Sequence, residues 1–449
     1  MEGENNIMFL YGAAVIIWLM FLCIFVYKAS SEYFFIFIYL FFTHIWMIIS
    51  NLFIENGVYL IQTFRQGEAT GATVRLLMLD TIFFVVVCFS LKLLSKHKTI
   101  REEIYVNVDN TEEGNNVNLW LNIMLFVSLY CLLDVLVSGN IFTNSAINKG
   151  NYYALFSRLP FAYYLDLMAV CFAFIAGMIF WESLKQRNKK RIIKIISIIT
   201  ITILYRFLRG LTFTTNFIYI VSFVTPIMLH FRIRHLKINK KIFAIMGFVL
   251  TILIAVKVND FSTNYSNAYA GVKNTETAFG KLIYRGLALQ GEVWWGIDDM
   301  VVNKNANDIS QISNEVKSIV DSDEVYKSGI YHLMTMLNHK FSRDGSDNLT
   351  LNCGYPAIII SIFGYSPITI LIIIVEAFLY AVIIVYTYKI TMKKRYAHAF
   401  FAYGILSDLN VAFIMGGLYY FFTTKIILCL CGLILLNRVC GNKKIKISI

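Results

Sequence analysis

Residues 284–299 have the sequence YRGLALQGEVWWGIDD and lie inside a polar segment of nearly a hundred residues, Asn259–Gly354. Apolar runs flank this segment on both sides, and many of them are about 20 residues long, the length that crosses the hydrocarbon core of a bilayer. Long connections between helices are uncommon unless they carry a function. The polar segment is therefore the first candidate for a functional region in an otherwise apolar chain.

The apolar runs that surround this segment dominate the composition. The chain has 449 residues, of which 58% are hydrophobic and only 15% are charged, whereas a soluble domain is about 25% charged. We predict an all-α polytopic integral membrane protein with about 11 transmembrane helices and one large extracytoplasmic loop. The predicted spans are 7–27, 33–54, 75–95, 117–138, 160–183, 192–206, 211–231, 242–257, 367–388, 397–414 and 418–437.

The net charge of +12 is concentrated in short loops between the apolar runs, with six basic residues in Lys185–Lys194 alone. The segment Asn259–Gly354, by contrast, has 8 Lys and Arg against 12 Asp and Glu. Short basic loops mark the cytoplasmic side of a membrane protein. This predicts an outside N-terminus, a cytoplasmic C-terminus and an extracytoplasmic polar segment. It also favours anionic membrane lipids over nucleic acid as the partner of the positive charge.

The predicted spans divide the chain into three domains. Residues 1–257 form a transmembrane bundle of about eight helices, 258–354 the extracytoplasmic loop, and 355–449 a re-entrant segment followed by about three spans. Gly354, Pro356, Gly364 and Pro367 interrupt an apolar run that is too long for one span, so a short, partly inserted helix is expected before 367. The N-terminus lacks the basic leader and cleavage site of a signal peptide, so the first helix is expected to be retained.

Ile192–Phe231 has basic loops at both ends and must therefore contain a hairpin, whose outer tip holds Arg206 and Arg209. Arginines at the edge of a short span are costly unless they face water or an anion. They either extend toward lipid headgroups or form a phosphate clamp on the outer side. Other ionisable residues lie inside the predicted spans: His44, Asp80, Asp134, Asp166, Glu376, Asp408 and Lys425. They could form a transporter relay. For most of them we favour the alternative that they make hydrogen bonds between helices.

Within the polar segment, Ala278–Met300 has helical spacing of its apolar residues and predicts an amphipathic helix near the membrane surface. Arg285 suits bidentate contact with phosphate. The adjacent Trp294 and Trp295 are either interfacial anchors or a stacking platform for sugar rings.

A second cluster, Tyr331–Gly345, contains His332 and His339, which lie two helical turns apart. This spacing is too wide for a zinc pair, so no metal is expected. A histidine here is either a general base or a structural residue. Asp321-Ser322-Asp323 is an Asp-x-Asp pattern that can hold a hard cation against a diphosphate, although in an acidic polar stretch it is more typical of a solvated surface.

Several of these motifs resemble the bacterial O-antigen polymerase family, the Wzy-type polymerases of oligosaccharide repeat units. Gln290–Trp295 after Arg285, Tyr331–Met334 and Asn352–Ala357 carry the resemblance, together with the arrangement of many spans and one large outer loop. Arg209-Gly210, opening a span, is similar to the Arg-Gly position of these polymerases and of the related O-antigen ligases. The resemblance implies a glycosyltransferase-C-like fold.

The resemblance also implies a chemistry: transfer of a growing glycan from undecaprenyl diphosphate onto a lipid-linked repeat unit, on the outer face of the bacterial inner membrane. Such an enzyme binds two lipid-linked oligosaccharides, and a flippase and a chain-length regulator are the expected protein partners. We expect no metal or other cofactor, because arginines in a dehydrated site can supply the electrostatics. The candidate catalytic residues are Arg209, Arg285, Glu292 and His332. The candidate substrate-binding residues are Arg206, Gln290, Trp294, Trp295, His339 and Arg343.

Two other functions fit parts of the pattern. An O-antigen ligase shares the Arg-Gly position and the lipid-linked donor. A lipid-linked oligosaccharide flippase or exporter would explain the ionisable residues in the spans. However, it would not explain the long outer segment, and the two similar halves typical of alternating access are not visible in the sequence. A membrane scaffold without catalytic activity is the remaining alternative.

Overall fold

The computed structural model describes residues 2–56, 71–95, 114–139, 152–209, 213–234, 290–321, 323–337 and 353–440, and the regular elements in these ranges are all helical. The α-helices are α1 Glu2–Ala29, α2 Phe34–Glu55, α3 Ala72–Ser95, α4 Gly114–Ser138, α5 Tyr152–Leu155, α6 Ala162–Leu167, α7 Ala169–Lys185, α8 Lys189–Leu208, α9 Phe213–Arg234, α10 Glu292–Lys304, α11 Gln311–Lys317, α12 Gly329–Leu337, α13 Ala357–Phe363, α14 Pro367–Met392, α15 Tyr396–Met415 and α16 Thr424–Cys440. Short 3-10 helices cover Glu324–Lys327 and Leu418–Phe422.

Seven segments in the described ranges are long and apolar enough to cross a membrane: Leu10–Ala29, Phe34–Glu55, Ala72–Ser95, Val117–Ser138, Pro367–Met392, Tyr396–Met415 and Leu418–Arg438. Each coincides with one of the predicted spans. The chain is therefore an α-helical membrane protein with several spans.

Four predicted spans do not appear among these seven. The predicted span 160–183 is divided at Met168 between α6 and α7, and α7 alone has only 17 residues. The predicted spans 192–206 and 211–231 fall on α8, which carries basic residues at both ends, and on α9, whose apolar part is Phe217–His230. The predicted span 242–257 lies outside the described residues.

The described residues form two compact units, each assembled from separate stretches of chain, whereas the predicted domains are consecutive. The first unit contains α1 to α3, α10 to α13, the part of α14 up to Val382, and Asp408–Thr423. The second unit contains α4 to α9, Ile383–Ser407 and α16. The described part of the predicted outer loop belongs to the first unit, and the predicted hairpin tip belongs to the second.

Aromatic side chains fill the core of the first unit. Phe83 makes ring contacts with Tyr355, Tyr380 and Phe413, at centroid separations of 6.0, 6.1 and 5.2 Å. These residues come from α3, α14, α15 and the turn before α13, so one cluster ties early helices to late ones. The short helix predicted before residue 367 is present as α13, which is buried along most of its length.

In the second unit, α7 packs closely against α9. A Cβ atom added to Gly177 would lie 2.1 Å from the carbonyl oxygen of Phe223, so only glycine permits this approach of the two backbones. The preceding turn of α7 contributes Ala173, which is buried with Ala169 and Tyr219 in one apolar cluster. This packing places Tyr219 of α9 next to the end of α8.

The ionisable residues inside the predicted spans make hydrogen bonds to other elements. His44 is joined to Asp80 over 2.9 Å and to the carbonyl of Phe413 over 3.1 Å. Glu376 accepts from the Tyr355 hydroxyl, and Lys425 donates to Ser407. Hydrogen bonding between helices, the interpretation favoured from the sequence, is confirmed for His44, Asp80 and Lys425, and also for Asp134 with Tyr152 and for Asp166 with Arg206. Glu376 and Asp408 instead bond to Tyr355 and Thr423, which lie next to helices and not within them.

Candidate functional site

The end of α8 carries two arginines on one face. Arg206 and Arg209 are three residues apart, the spacing at which helical side chains are neighbours. Arg206 is in the last turn of α8, and Arg209 caps its C-terminus. Both side chains therefore point toward α6, where Asp166 is located.

Asp166 binds both arginines with different oxygen atoms. Arg206 donates from Nε to Oδ1 over 3.1 Å, and Arg209 donates from Nη1 to Oδ2 over 2.8 Å. Tyr205 adds a hydrogen bond from its hydroxyl to Oδ1 over 2.7 Å. Burial acts to lower the pKa of Arg209, but the Asp166 carboxylate opposes it, and the net effect is a raised pKa. The arginines therefore stay charged in this apolar setting.

Tyrosine rings surround the two guanidinium groups. Arg209 lies over the rings of Tyr153 and Tyr152, at 4.6 and 5.6 Å from their centroids, and it also donates to the Tyr153 hydroxyl. Arg206 lies over Tyr219 at 5.4 Å. Aromatic faces stabilise cations that have been removed from water. We refer to Arg206, Arg209, Asp166 and Tyr153 as the arginine cluster.

One nitrogen of this cluster has no hydrogen-bond partner among the described residues. It is the Nε atom of Arg209, which is buried. A buried donor without an acceptor costs about 1–3 kcal/mol. An anion with several acceptor oxygens would satisfy it, and arginine is well suited to such groups.

Asp134 fixes the loop that leads to the arginine cluster. It accepts hydrogen bonds from the backbone N–H groups of Arg158 and Leu159, both over 2.9 Å, and from the Tyr152 hydroxyl over 3.1 Å. Burial is the main reason that the pKa of Tyr152 rises to about 12. Tyr152 therefore remains a neutral donor, held beside Arg209.

The structure corrects one interpretation of the hairpin tip. Arg206 and Arg209 are only 6% and 5% exposed, so they do not extend toward lipid headgroups. Their charge is instead balanced within the protein by Asp166. The sequence contained both signals, an acidic residue inside a span and two arginines at a span end, but nothing in it linked residues about 40 positions apart.

The helix predicted for Ala278–Met300 is described only from Gln290 onward. Within that part, α10 begins at Glu292 and continues to Lys304, beyond the predicted end. Residues Gln290–Val301 are all buried, because α10 packs against α2, α12 and α13. The described part of this helix is thus an internal element of the first unit, and the prediction of an amphipathic surface helix is wrong for it. Arg285 lies outside the described residues.

Two side chains anchor α10 to the start of α3. The indole nitrogen of Trp294 donates to the carbonyl of Ala72 over 2.8 Å. Asp298 accepts two hydrogen bonds from Arg75, over 2.8 and 2.5 Å, and a third from the Tyr365 hydroxyl. The sequence analysis gave Arg75, Asp298 and Tyr365 no role, because no local pattern links residues that are 67 and 223 positions apart. Their pairing depends on the docking of α10.

The buried state of the two tryptophans limits what they can contact. Trp294 has 0% of its surface exposed, and Trp295 is also buried. Trp294 therefore presents no ring face to a sugar, and its role here is to hold α10 in place. Neither residue is an exposed interfacial anchor.

Gln290 and Glu292 are buried at the beginning of α10. The Gln290 side-chain oxygen accepts from the Cys353 thiol over 3.1 Å, and burial raises the pKa of this thiol to about 12. Gly291 lies directly against α2, where an added Cβ would be 2.5 Å from the Asn51 nitrogen. Glu292 is almost completely enclosed. These contacts fix the position of the Gln290–Glu292 turn.

His332 is on α12 and is half-buried. Burial lowers its pKa, and the nearby Asp308 carboxylate partly opposes this shift. The histidine is therefore neutral at neutral pH and able to accept a proton. The other members of this predicted cluster, His339 and Arg343, lie outside the described residues.

Asp321 and Asp323 are both exposed, and the backbone N–H of Asp323 donates to the Asp321 side chain over 2.9 Å. This local turn matches the solvated surface expected for the Asp-x-Asp pattern. Across the described ranges, three or more His, Cys, Asp and Glu side chains do not come together as a candidate metal site.

Comparison with known proteins adds one match. Residues 323–430 match the model of a family of unknown function, DUF6418. This region extends from the exposed Asp323 through α12 to α15 and into α16. No curated protein and no solved structure matches the chain.

The described candidate residues therefore fall into two groups. Arg206 and Arg209 form the arginine cluster of the second unit with Asp166 and Tyr153. Gln290, Glu292, Trp294, Trp295 and His332 belong to the first unit, on α10, α12 and the turn before α10.

Proposed function

We propose that the chain is a membrane glycosyltransferase that joins undecaprenyl-diphosphate-linked oligosaccharide repeat units into O-antigen or a related surface polysaccharide. It would act on the outer face of the bacterial inner membrane. The observation that carries this proposal is the arginine cluster, in which the Nε donor of a buried guanidinium group has no partner within the described part of the chain. The resemblance of Arg209-Gly210 to the Arg-Gly position of the polymerases supports it.

The leaving group in this reaction is a lipid diphosphate, whose negative charge increases as the glycosidic bond breaks. A fixed guanidinium group in a site with little water stabilises that charge effectively. In this proposal Arg209 contacts the diphosphate, while Asp166 and Tyr153 hold its side chain in one orientation. Arg206 shares Asp166 and adds a second positive charge for the diphosphate, while Asp166 offsets the repulsion between the two arginines.

The acceptor hydroxyl must lose a proton when it attacks the donor sugar. Neutral His332 and the Glu292 carboxylate are the candidate bases among the described residues. Because both belong to the first unit, their contribution is proposed separately from that of the arginine cluster. Arg285, His339 and Arg343 remain candidates from the sequence alone.

The decisive experiment is analysis of the lipid-linked glycans in a strain that lacks this chain. A polymerase predicts single repeat units on the outer face and restored polymer when the wild-type chain is supplied. Repeat units retained on the inner face would indicate a flippase instead, and polymer retained on undecaprenyl diphosphate would indicate a ligase. A strain that carries the Arg158→Ala chain provides a control and is expected to make polymer. Arg158 is exposed and belongs to the unit that contains the arginine cluster.

The side of the membrane can be tested independently. A reporter fused after Asn305 is expected to be extracytoplasmic, and one fused after Lys190 cytoplasmic. Reversed locations would contradict the proposal, because the lipid-linked substrates of such a polymerase are on the outer face.

A further inference from the structure

Four tyrosines from two distant parts of the chain come together in the first unit. Tyr326 and Tyr331 have ring centroids 5.2 Å apart, and Tyr419 and Tyr420 have ring centroids 4.1 Å apart. Gly329, two residues before Tyr331, lies against the ring of Tyr419, so the two pairs are neighbours. We call Tyr326, Tyr331, Tyr419 and Tyr420 the tyrosine platform.

A buried carboxylate holds the two parts of the platform together. Glu315 accepts the backbone N–H of Gly329 with one oxygen, over 2.5 Å, and that of Leu418 with the other, over 2.9 Å. The side chain of Glu315 is almost fully enclosed. The segments that carry the two tyrosine pairs are therefore fixed to the same side chain.

Glycines allow these two segments to touch through their backbones. A Cβ atom added to Gly329 would lie 2.6 Å from the carbonyl oxygen of Gly416 and 3.0 Å from the ring of Tyr419. Gly329 also has a φ of +51°, which favours glycine. The platform is consequently a preformed surface.

The platform is partly exposed, and charged side chains border it. Tyr326 is 40% exposed, and the other three tyrosines are half-buried. Beside it, Lys327 and Glu324 form an exposed ion pair over 2.6 Å, which cancels their charges. Tyr419 and Tyr420 are among the first residues of the candidate span Leu418–Arg438, and we expect the end of a span to lie near the membrane surface.

We propose that the tyrosine platform binds the sugar rings of a glycan that is attached to a membrane lipid, an inference that rests on the proposed function. The faces of tyrosine rings are electron-rich and attract the C–H groups on one side of a sugar ring. Phenol hydroxyl groups supply hydrogen bonds at the rim.

The position at the membrane surface identifies which sugars would bind. Sugars close to the lipid diphosphate must lie near the headgroups, whereas distal sugars extend into water. The platform therefore selects the membrane-proximal end of the glycan. The main alternative is an interfacial aromatic belt that contacts lipid headgroups without recognising sugars.

The test is binding of the oligosaccharide repeat unit released by mild acid from the lipid-linked pool of the host. Binding to the full chain in detergent is measured by calorimetry. We expect the double variant Tyr326→Leu, Tyr331→Leu to bind about tenfold more weakly, because the ring faces are removed. The double variant Tyr326→Phe, Tyr331→Phe keeps the rings and is expected to bind within about threefold of the wild type.

Tyr27→Leu serves as the matched control. Tyr27 is 47% exposed and lies near the C-terminal end of α1, away from the tyrosine platform in the sequence. It is expected to bind like the wild type. Thermal unfolding of each variant identifies any loss of folding, and the Phe variant separates ring loss from misfolding. Wild-type affinity in the Leu variant, or no binding by the wild type, would overturn the proposal. Binding that depends on the tyrosines in a chain that makes no polymer would overturn the proposed function alone.

Discussion

Arg209 donates from Nη1 to Oδ2 of Asp166 over 2.8 Å, and both side chains are buried. Arg206 binds the other oxygen of the same carboxylate. One acidic side chain thus orients two guanidinium groups, and the geometry of the fork matters as much as the charge. This relationship leads to the first two predictions.

Replacing Arg209 with Lys is expected to reduce polymer yield nearly as much as replacing it with Ala. Lysine keeps the charge but cannot reproduce the planar donor fork, and loss of such a contact in a site with little water lowers the rate by roughly a hundredfold. Polymer yield is measured at matched protein levels. The same pair of substitutions at Arg285 tests the residue chosen from the sequence alone. Wild-type yield from both Lys variants would exclude a phosphate contact.

Asp166→Ala is expected to lower the free energy of unfolding by about 3–5 kcal/mol, because two buried arginines would lose their shared carboxylate. Chemical denaturation in detergent measures the change. Asp321→Ala is the control, since Asp321 is exposed and is expected to change stability little. Equal effects of the two substitutions would show that the ion pairs of Asp166 contribute no net stability.

Trp294→Phe is expected to destabilise the chain by about 1–3 kcal/mol, because the Ala72 carbonyl loses its buried hydrogen-bond donor. Glycan affinity should stay at the wild-type value, since this side chain is enclosed. Thermal unfolding and calorimetry measure the two effects. Trp18→Phe, at a partly exposed position on α1, provides the control. A large fall in affinity with unchanged stability would restore the interpretation of Trp294 as a sugar contact.

The lowered pKa of His332 predicts how the stability of the folded chain depends on pH. Its pKa in the folded chain is below the ordinary value of 6.5, so the unfolded chain binds the proton more strongly. The stability that comes from keeping His332 neutral in the folded chain is fully present above pH 6.5. It is lost as the pH falls through the lower pKa of the folded state. His332→Gln should flatten this part of the curve of unfolding temperature against pH. An unchanged curve would show that His332 does not contribute to it.

Polymer formation is expected to continue in the presence of excess chelator, because arginines can stabilise diphosphate charge without a cation. Purified chain with lipid-linked repeat units is the appropriate system. If EDTA abolished activity and magnesium or manganese restored it, Asp321→Asn and Asp323→Asn would be the next variants to measure.

The sequence predicted the helical class and the positions of seven spanning helices because span length and hydropathy are local properties. The break at Met168 was not predicted, since the apolar run continues through it without a proline or glycine. The burial of the described part of α10 was also missed. Its amphipathic pattern is the same whether its apolar face contacts lipid or other helices.

In the candidate sites, too, the sequence identifies residues by their local position but does not show which distant residues contact them. Arg206 and Arg209 were found from their unusual place at a span end, whereas Asp166 acquires its role from the packing of α6 against the end of α8. The tyrosine platform was not predicted, because its two pairs are about ninety residues apart and meet through a glycine contact. Pairings of this kind depend on the tertiary fold.

The hydrogen bond from His44 to the carbonyl of Phe413 joins residues 369 positions apart. At about 5–20 residues per second, a ribosome needs tens of seconds to make the intervening chain. During that time α2 and α3 would reside in the bilayer with a polar pair whose last partner has not been synthesised. We therefore expect that His44 and Asp80 first pair with each other in the early helices, and that the Phe413 carbonyl joins them only when α15 is inserted.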